Sequence, residues 1–430
     1  MSSIETDDIR NIAIVGHGTS GKTILAEAIL YNAGEISRIG TIQDGTTISD
    51  YHQQEINRQI SISGTPLHCN WLKKRLNIQD VPGFLDFLGE AKSSLRVSDI
   101  SIVTVPATTG VETGTDIVSG YAEESGIPRL FVSTMLDKEH TNFDSVLNQI
   151  QSHFSNRVFP LTIPVNAGPG FNQIADVLRK TLLIYKTDGT GEFEEDSLPK
   201  DLKEKIDQMH EELIEYIAES DDSMLEKFFE EGSLSEEDLR EGLHNAIING
   251  SLIPLVATSA QTNVGVNRLL DLLSKYYPSP ADLSKSLANR TDSSELIVEP
   301  SIDQPTSLFI FKTVSEPHVG ELSFFRVYSG SVKSGMDLKN TSRQSSERLG
   351  QIFSMNGKHR KEAGILNAGD IGAVVKLKNT HTGDTLCDPK LNIELQKINF
   401  PPPSINEAVV TTSKGDEEKI ATGLATLHEE

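Results

Sequence analysis

The sequence has very little cysteine and no long apolar run, and both absences narrow the possible classes of protein. Its two cysteines, Cys69 and Cys387, have no histidine or cysteine neighbour at metal-ligand spacing, so neither a disulfide framework nor a zinc site is expected. The longest apolar runs, such as Ile100 to Pro106, are too short to cross a bilayer. The amino terminus is polar and acidic, unlike a secretory signal. We therefore expect a cytoplasmic, monomeric protein without a membrane segment.

Basic residues are also scarce, and the net charge of −23 argues at first against a nucleic-acid partner. The acidic excess is uneven. The 55 residues from Lys186 to Arg240 contain 20 acidic and 6 basic residues, a net charge of −14. The simplest interpretation of this segment is a solvated helical surface. The alternative is a docking site for a basic partner.

The first part of the chain alternates short apolar runs with helix-length segments. This alternation is typical of βαβ units and predicts an α/β domain with a mostly parallel sheet over residues 1–290. Apolar residues at helical spacing, separated by charges, predict a mainly helical insertion at about 162–250. The predicted strands are 11–15, 76–79, 100–105, 128–133 and 252–258, and the predicted helices that flank them are 23–32 and 267–275.

A polar linker at 284–294 precedes a change of pattern. Short apolar runs then alternate with glycine-containing turns, which predicts a small β-barrel over residues 300–398. A strand at 405–411 and a helix at 417–427 are expected next. One strand and one helix bury little surface, so residues 404–430 are interpreted as the start of a third, α+β domain.

The strongest motif lies between the first predicted strand and helix. It fits G-x-x-x-x-G-K-[ST] and consists of Gly16, His17, Gly18, Thr19, Ser20, Gly21, Lys22 and Thr23. In such a P-loop, the loop amides and the helix amino terminus form a donor surface for phosphates. Lys22 is expected to reach the terminal phosphates, and the Thr23 hydroxyl to hold Mg²⁺. The motif predicts a nucleotide site but does not distinguish ATP from GTP.

A second motif, Asp80-Val81-Pro82-Gly83, follows the predicted strand at 76–79. It has the D-x-x-G form, in which a carboxylate serves the outer shell of the metal and a glycine amide contacts the γ-phosphate. The tetrapeptide alone is a weak signal. Its position 64 residues after Gly16, at a strand end, indicates a phosphate sensor.

Together these residues resemble the bacterial elongation factor G family, and the resemblance runs over essentially the whole chain. It implies a P-loop GTPase domain with an insertion, a translation-factor β-barrel and further domains. It also implies GTP and GDP as ligands with Mg²⁺, and the ribosome, with its rRNA and proteins, as partner. Further matching segments are Asp44-Gly45, Arg58 to Ile62, Asp86-Phe87, Ser259-Ala260, Phe324 to Gly330, Ala368 to Ile371 and Thr382 to Cys387.

The guanine-binding motif departs from the family pattern. Where the family has Asn-Lys-x-Asp, this chain has Thr134-Met135-Leu136-Asp137. Asp137 can accept from the N1 and N2 donors of guanine, a pairing that adenine cannot offer. The family lysine that packs on the base is absent, whereas Ser259-Ala260 still offers a backbone amide to the base oxygen. We expect GTP selectivity with reduced affinity, and the alternative is a structural role for Asp137.

Three further departures concern the phosphates. Ser61 replaces the family threonine that binds Mg²⁺ and senses the γ-phosphate, and its hydroxyl allows the same role. Thr19 replaces an aspartate of the P-loop. Phe84, directly after Gly83, replaces the histidine that positions the attacking water.

The catalytic positions Lys22, Gly83 and Phe84 are therefore expected to support only slow hydrolysis, because a phenyl ring cannot orient water. His17 or His68 is the alternative source of a water-positioning group. The resulting hypothesis is a ribosome-associated, GTP-binding translation factor. A guanine-nucleotide sensor outside elongation and a scaffold without nucleotide are the alternatives.

Overall fold

The computed structural model of the chain divides into two units. The N-terminal unit is Arg10–Pro278 with Asn356–Lys358, and the C-terminal unit is Met1–Ile9, Ser279–Met355 and His359–Glu430. The residues that the structure describes are 4–219, 222–231, 234–283, 286–290, 295–316, 320–403, 405–411, 413 and 415–429.

The N-terminal unit is built from strands and helices in alternation. Its strands are β1 (Ile9–Gly16), β2 (Thr65–Trp71), β3 (Lys74–Asp80), β4 (Ile100–Pro106), β5 (Arg129–Thr134), β6 (Val158–Pro160), β7 (Thr162–Pro164), β8 (Gln173–Asp176), β9 (Thr181–Tyr185), β10 (Phe193–Asp196) and β11 (Ile253–Ala257). Its helices are α1 (Lys22–Asn32), α2 (Gln53–Arg58), α3 (Leu88–Arg96), α4 (Thr113–Glu124), α5 (Phe143–His153), α6 (Lys200–Ala218), α7 (Asp222–Glu231), α8 (Glu236–Ile248) and α9 (Val266–Tyr276).

The main sheet has the strand order β2-β3-β1-β4-β5-β11-β6. β1 with β4, β4 with β5, and β11 with both β5 and β6 are parallel, whereas β2 and β3 are antiparallel. β4 is buried at every residue, as expected for a strand covered on both faces. The α/β class and the mostly parallel sheet predicted from the sequence are confirmed.

The topology brings several loops to one edge of the sheet. The carboxyl ends of β1, β4, β5 and β11 lie side by side because these strands are parallel and in register. The Val81 amide donates to the Ile14 carbonyl at 3.3 Å, which places the end of β3 beside the end of β1. Both sequence motifs, together with the loops that carry Asp137 and Ser259, therefore meet at this edge, where open α/β sheets bind ligands.

The insertion is mainly helical, as predicted, but it also contains a small sheet that was not predicted. It begins with an antiparallel sheet of order β10-β9-β8-β7, and only then continues as α6, α7 and α8. In α6 the buried apolar residues Ile206, Leu213 and Ile217 recur at helical spacing, which explains why the pattern indicated helices. No helix among the described residues is both long and apolar enough to cross a membrane.

The C-terminal unit is rich in β structure. Its main sheet has the order β18-β17-β23-β14-β15-β22-β19-β20, and smaller groups are β13-β12-β24 and β16-β21. The elements are β12 (Ser286–Arg290), β13 (Glu295–Val298), β14 (Ser307–Glu316), β15 (Gly320–Ser329), β16 (Ser331–Lys333), β17 (Asp337–Asn340), β18 (Ser345–Arg348), β19 (Ile352–Asn356), β20 (His359–Glu362), β21 (Ile365–Asn367), β22 (Ile371–Val375), β23 (Thr385–Cys387), β24 (Ile393–Leu395) and α10 (Glu417–Glu429).

The last segment contains the predicted helix but not the predicted strand. Described residues 405–411 form no strand, and Ile405, Val409 and Val410 are exposed. A strand is stable only when neighbouring strands satisfy its backbone and cover one face, so a suitable sequence alone does not produce one. The strand prediction was therefore wrong. Cys69 and Cys387 are both buried free thiols, as expected.

Candidate functional site

The P-loop connects β1 to α1, and two glycines permit its backbone conformation. Gly16 has a φ of 147°, and Gly21, the residue before α1, has a φ of 88°. L-residues rarely adopt either angle. A Cβ on Gly16 would also overlap the side chain of Thr104. The chain therefore turns sharply from strand to helix at this point.

Hydroxyl groups hold the P-loop against the neighbouring strand ends. Ser20 Oγ and Thr104 Oγ1 share a hydrogen bond of 2.7 Å, and Thr104 Oγ1 lies 3.1 Å from the Val15 carbonyl. Thr134 Oγ1 donates to the Ser20 carbonyl at 2.9 Å. Thr134, at the position of the family asparagine, thus joins the loop that carries Asp137 to the P-loop.

The ammonium of Lys22 is nearly enclosed, with the residue 5% exposed. Its Nζ donates to the carbonyl oxygens of Gly16 at 3.0 Å and His17 at 2.7 Å. Burial lowers the pKa of Lys22 to about 8, and the negative charges of Asp80 and Asp50 oppose this shift. A cation held on the loop carbonyls is well placed to meet a phosphate.

Two buried carboxylates, Asp80 and Asp50, lie near this ammonium. The pKa of Asp80 is raised to about 7. Burial is the main cause and the charge of Asp50 acts in the same direction, whereas Ser49, Lys22 and Thr23 oppose the rise. Burial also raises the pKa of Asp50 to about 6. Hydroxyls lie close to both carboxylates, those of Ser49 and Thr23 to Asp80 and that of Ser61 to Asp50, but the carboxylates remain incompletely hydrogen-bonded. Carboxylates buried without full partners are the expected surroundings of a cation.

Asp50 was not predicted from the sequence, because an acidic residue in a polar segment is ordinarily exposed. Its burial follows from the packing of this segment on α1. Glu27 of α1, itself buried, accepts hydrogen bonds from the amides of Gly40 at 2.9 Å and Ile48 at 2.6 Å. Glu27 therefore anchors the segment that carries Asp50, a role without a local sequence signal.

The segment between α2 and β2 approaches the P-loop through Ser61. Its Oγ lies 3.2 Å from the Oγ1 of Thr23, and Glu55 accepts the following amides of Ile62 at 3.0 Å and Ser63 at 3.1 Å. The three expected metal residues, Thr23, Ser61 and Asp80, are thus grouped around one place.

These oxygen atoms fit a hydrated magnesium ion. Mg²⁺ is commonly held by one or two carboxylates together with water and substrate phosphates. The site offers the hydroxyls of Thr23 and Ser61 and the carboxylates of Asp80 and Asp50. Within the described part of the chain no three His, Cys, Asp or Glu side chains form a metal-binding group, so phosphates and water would complete the coordination.

Gly83 and Phe84 pack directly on the P-loop. A Cβ on Gly83 would overlap the Lys22 ammonium and lie 2.7 Å from the Gly16 carbonyl oxygen. The half-buried ring of Phe84 covers Gly18, and three of its carbons would lie 3.1–3.2 Å from a Cβ at that glycine. An apolar ring therefore occupies the position after D-x-x-G, against the phosphate loop.

The two histidines considered as replacements have other contacts. The His17 Nδ1 accepts from the Gly114 amide at 3.2 Å, and its Nε2 lies 3.8 Å from Glu112. His68 lies in β2, three residues beyond the Thr65 that pairs with Asp80, which is about 10 Å along the strand. The contacts of His17 and the distance of His68 both disfavour water positioning.

The loop that follows β5 and the loop that follows β11 meet at Asp137. Its Oδ1 accepts from the Ser259 hydroxyl at 2.7 Å, and its Oδ2 lies 3.0 Å from the Lys138 ammonium. Met135 adopts a φ of 60° and its Cε reaches Gly21. Ala260 is buried beside Ser259.

The structure collects most expected site residues at one edge of the main sheet. Thr19, where the family has an aspartate, is exposed on the loop with a φ of 65°. The residues brought together are Gly16, Gly18, Ser20, Gly21, Lys22, Thr23, Ser61, Asp80, Gly83, Phe84, Thr134, Asp137, Ser259 and Ala260.

Two family models match the chain. The model described as Elongation factor Tu GTP binding domain matches residues 7–279, and the one described as Elongation factor G domain 2 matches residues 305–389. Elongation factor G of Thermotoga maritima is 35% identical over 428 residues, which cover 99% of this chain and 62% of that protein.

A solved structure is also similar. A crystal structure of a Thermus thermophilus protein superposes with a TM-score of 0.87 at 28% identity, covering 99% of this chain and 61% of that one. The chain thus spans less than two thirds of the length of these relatives. By the family models, sequence identity and fold, it belongs to the translational GTPases and is similar to elongation factor G.

Proposed function

We propose that this chain binds GTP, hydrolyses it slowly and acts on the ribosome as a translation factor. The observation that carries the proposal is the Phe84 ring, which lies on Gly18 next to Gly83. The site retains the groups that hold a nucleotide. It has an apolar ring where a water-positioning group is needed.

The geometry supports a specific set of nucleotide contacts. Lys22 binds the terminal phosphates, the loop amides surround them, and the Gly83 amide senses the γ-phosphate. Thr23, Ser61 and Asp80, assisted by Asp50, hold Mg²⁺. When bound, this ion neutralises charge on the β- and γ-phosphates.

Base selection depends on Asp137 and on the Ser259-Ala260 segment. The carboxylate accepts hydrogen bonds from N1 and N2 of guanine, and the Ser259 hydroxyl fixes the orientation of the carboxylate. Met135 supplies apolar packing but lacks the long charged stem of a lysine. GTP and GDP are therefore preferred over ATP, with lower affinity than a complete Asn-Lys-x-Asp motif gives.

Slow hydrolysis follows from the chemistry of the ring. A phenyl group neither donates to nor accepts from the attacking water, and a positioned acid-base group typically contributes about 10² to 10⁴ in rate. The ring also occupies space beside the phosphate loop. The GTP state is therefore long-lived.

The ribosome is the proposed partner, in keeping with a cytoplasmic, monomeric factor. The acidic surface of α6 and α8 meets a basic partner, such as a ribosomal protein. Apolar residues of these helices face inward, whereas their acidic side chains are mainly exposed. The domains we propose are a GTPase domain at 1–290, a β-barrel at 300–398 and the start of a third domain at 404–430.

The same site supports a second function, that of a guanine-nucleotide sensor which signals by occupancy and does not act in elongation. The Phe84 contact favours it as well, because a sensor benefits from a slowly hydrolysed ligand. A scaffold without nucleotide is disfavoured by the two buried and incompletely hydrogen-bonded carboxylates beside Lys22.

One experiment separates these functions. The purified chain is titrated with GDP, GTP and ATP, the products are analysed, and ribosome co-sedimentation is measured in each state. The proposal expects binding of GDP and GTP but not ATP, little phosphate release, and ribosome binding that depends on GTP. Nucleotide binding without ribosome binding would identify the sensor, and no nucleotide binding would leave only the scaffold.

A further inference from the structure

The loop that carries Ser259 is fastened by an asparagine pair. Asn32, the last residue of α1, donates through Nδ2 to Asn263 Oδ1 at 2.9 Å, and Asn263 Nδ2 donates back to Asn32 Oδ1 at 2.6 Å. Asn263 is 1% exposed and has a φ of 57°. A reciprocal amide pair in a buried position fixes both side chains, because neither can rotate without losing two hydrogen bonds.

Asn263 is connected to the base-recognising carboxylate through a short, closed loop. The amides and carbonyls of Ser259 and Val264 are bonded reciprocally at 2.9 Å, and the Asn263 amide donates to the Ala260 carbonyl at 3.3 Å. The Ser259 hydroxyl then donates to Asp137. A displacement of Asn263 therefore reaches Asp137 through one closed turn and one hydroxyl.

The insertion contacts this asparagine from the other side. The turn between β9 and β10, residues 188–191, presents the Gly189 carbonyl to Asn263 Nδ2 at 3.0 Å and the Gly191 carbonyl to Asn267 Nδ2 at 2.7 Å. Gly191 has a φ of 73°, and a Cβ there would lie 2.7 Å from Asn263 Nδ2. The turn and the base loop fit each other only when residue 191 has no side chain.

We propose that Asn263 is a positioning residue that couples the insertion turn 188–191 to guanine recognition. A ligand of the insertion that displaces this turn loosens the bound nucleotide, and by linkage a bound guanine nucleotide orders the turn. The coupling acts on the base and not on the phosphates, so GDP and GTP are affected alike. The inference rests on the proposed function, because it requires guanine to be read by Asp137.

The test uses one variant on each side of the contact. Asn263→Ala removes the side-chain amide. Gly191→Ala adds a Cβ that would push the Asn263 amide away from the turn 188–191. Gly250→Ala is the matched control: Gly250 lies between α8 and β11, at the end of the insertion, with a φ of 72°, and a Cβ there would meet nothing within 4 Å. Dissociation of fluorescent GDP and GTP and the affinity ratio of GDP to inosine diphosphate are measured for each.

Both site variants should release GDP and GTP about tenfold faster, as expected for the loss of one or two hydrogen bonds. Their preference for GDP over inosine diphosphate, which lacks the N2 amino group, should fall. The control should stay within about twofold. A merely structural role would lower thermal stability without changing the base preference.

Four results would overturn the inference. Wild-type dissociation rates and base preference in Asn263→Ala would remove the positioning role. An effect in Asn263→Ala without one in Gly191→Ala, or an equal effect in Gly250→Ala, would remove the coupling to the turn. Failure of the wild type to bind GDP is a distinct outcome, and it would overturn the proposed function together with the coupling.

Discussion

At the residue scale, the proposed function requires Asp137 to share its oxygens between the protein and the guanine base. Oδ1 already accepts from Ser259, and Oδ2 lies beside Lys138. Each carboxylate oxygen has two lone pairs, so both oxygens can still accept a hydrogen bond from guanine. The carboxylate is thus oriented on one side and available on the other.

The first prediction exchanges this acceptor. Asp137→Asn replaces one oxygen by a donor that matches the C2 carbonyl of xanthine and opposes the N2 amino group of guanine. GDP affinity should fall by about tenfold to a hundredfold, as for loss of a hydrogen bond to a charged group, and xanthosine diphosphate affinity should rise. Calorimetric titration with both nucleotides measures the change, with the exposed Asp144→Asn on α5 as control. Unchanged GDP affinity would assign Asp137 to structure alone.

The second prediction separates two phosphate contacts. Lys22→Ala should abolish binding of GDP and GTP, because the buried ammonium is the cation bonded to the loop carbonyls. Ser61→Ala should spare GDP and weaken GTP in the presence of Mg²⁺, because its hydroxyl serves the metal and the γ-phosphate. Equilibrium binding of both nucleotides, with Mg²⁺ and with EDTA, distinguishes these effects. Equal losses of GDP and GTP in Ser61→Ala would show that Ser61 does not sense the γ-phosphate.

At the scale of elements, one buried ion pair joins the insertion sheet to the main domain. Asp176 at the end of β8 and Arg268 in α9 approach to 2.5 Å, with side chains 0% and 3% exposed. Breaking a buried pair leaves an uncompensated charge, which costs far more than breaking an exposed pair. The same sheet also contains an exposed pair, Arg179 and Glu195.

The third prediction compares these pairs. Asp176→Asn should lower the free energy of unfolding by about 3 kcal/mol, whereas Glu195→Gln should change it by less than about 1 kcal/mol. Urea unfolding is followed by fluorescence of Trp71, the single tryptophan, whose Nε1 donates to Asp271 of α9 at 2.8 Å. Similar losses in the two variants would mean that the buried pair does not stabilise the docking of α9 on the insertion.

Sequence periodicity predicted the elements whose stability depends on local pattern. The parallel strands β1, β4, β5 and β11 are near-continuous apolar runs, and the P-loop has a fixed spacing, so these were identified, whereas the three-residue parallel strand β6 was not. The insertion sheet was missed because its strands are only 3 to 5 residues long. The strand at 405–411 was wrongly predicted because its apolar pattern requires a neighbouring strand. Asp50 and Glu27 were missed because their burial depends on tertiary packing.

At the scale of the whole molecule, the proposed function separates nucleotide binding from nucleotide hydrolysis. The loops proposed to contact the phosphates and the base lie at one edge of one sheet, and the departures from the family pattern, at Thr19, Ser61, Phe84, Thr134 and Met135, lie in the same group of segments. The acidic insertion carries well over half of the net negative charge at a distance in sequence from both motifs. These features suit a factor that acts through a persistent GTP state.

The most direct test of this account is the rate of phosphate release by the wild type and by Phe84→His, each with and without ribosomes. The matched control is Phe87→His, three residues further along the segment that follows Gly83. The account predicts slow release by the wild type even with ribosomes, and at least about a tenfold rise in ribosome-stimulated release for Phe84→His but not for Phe87→His. Rapid release by the wild type would contradict it.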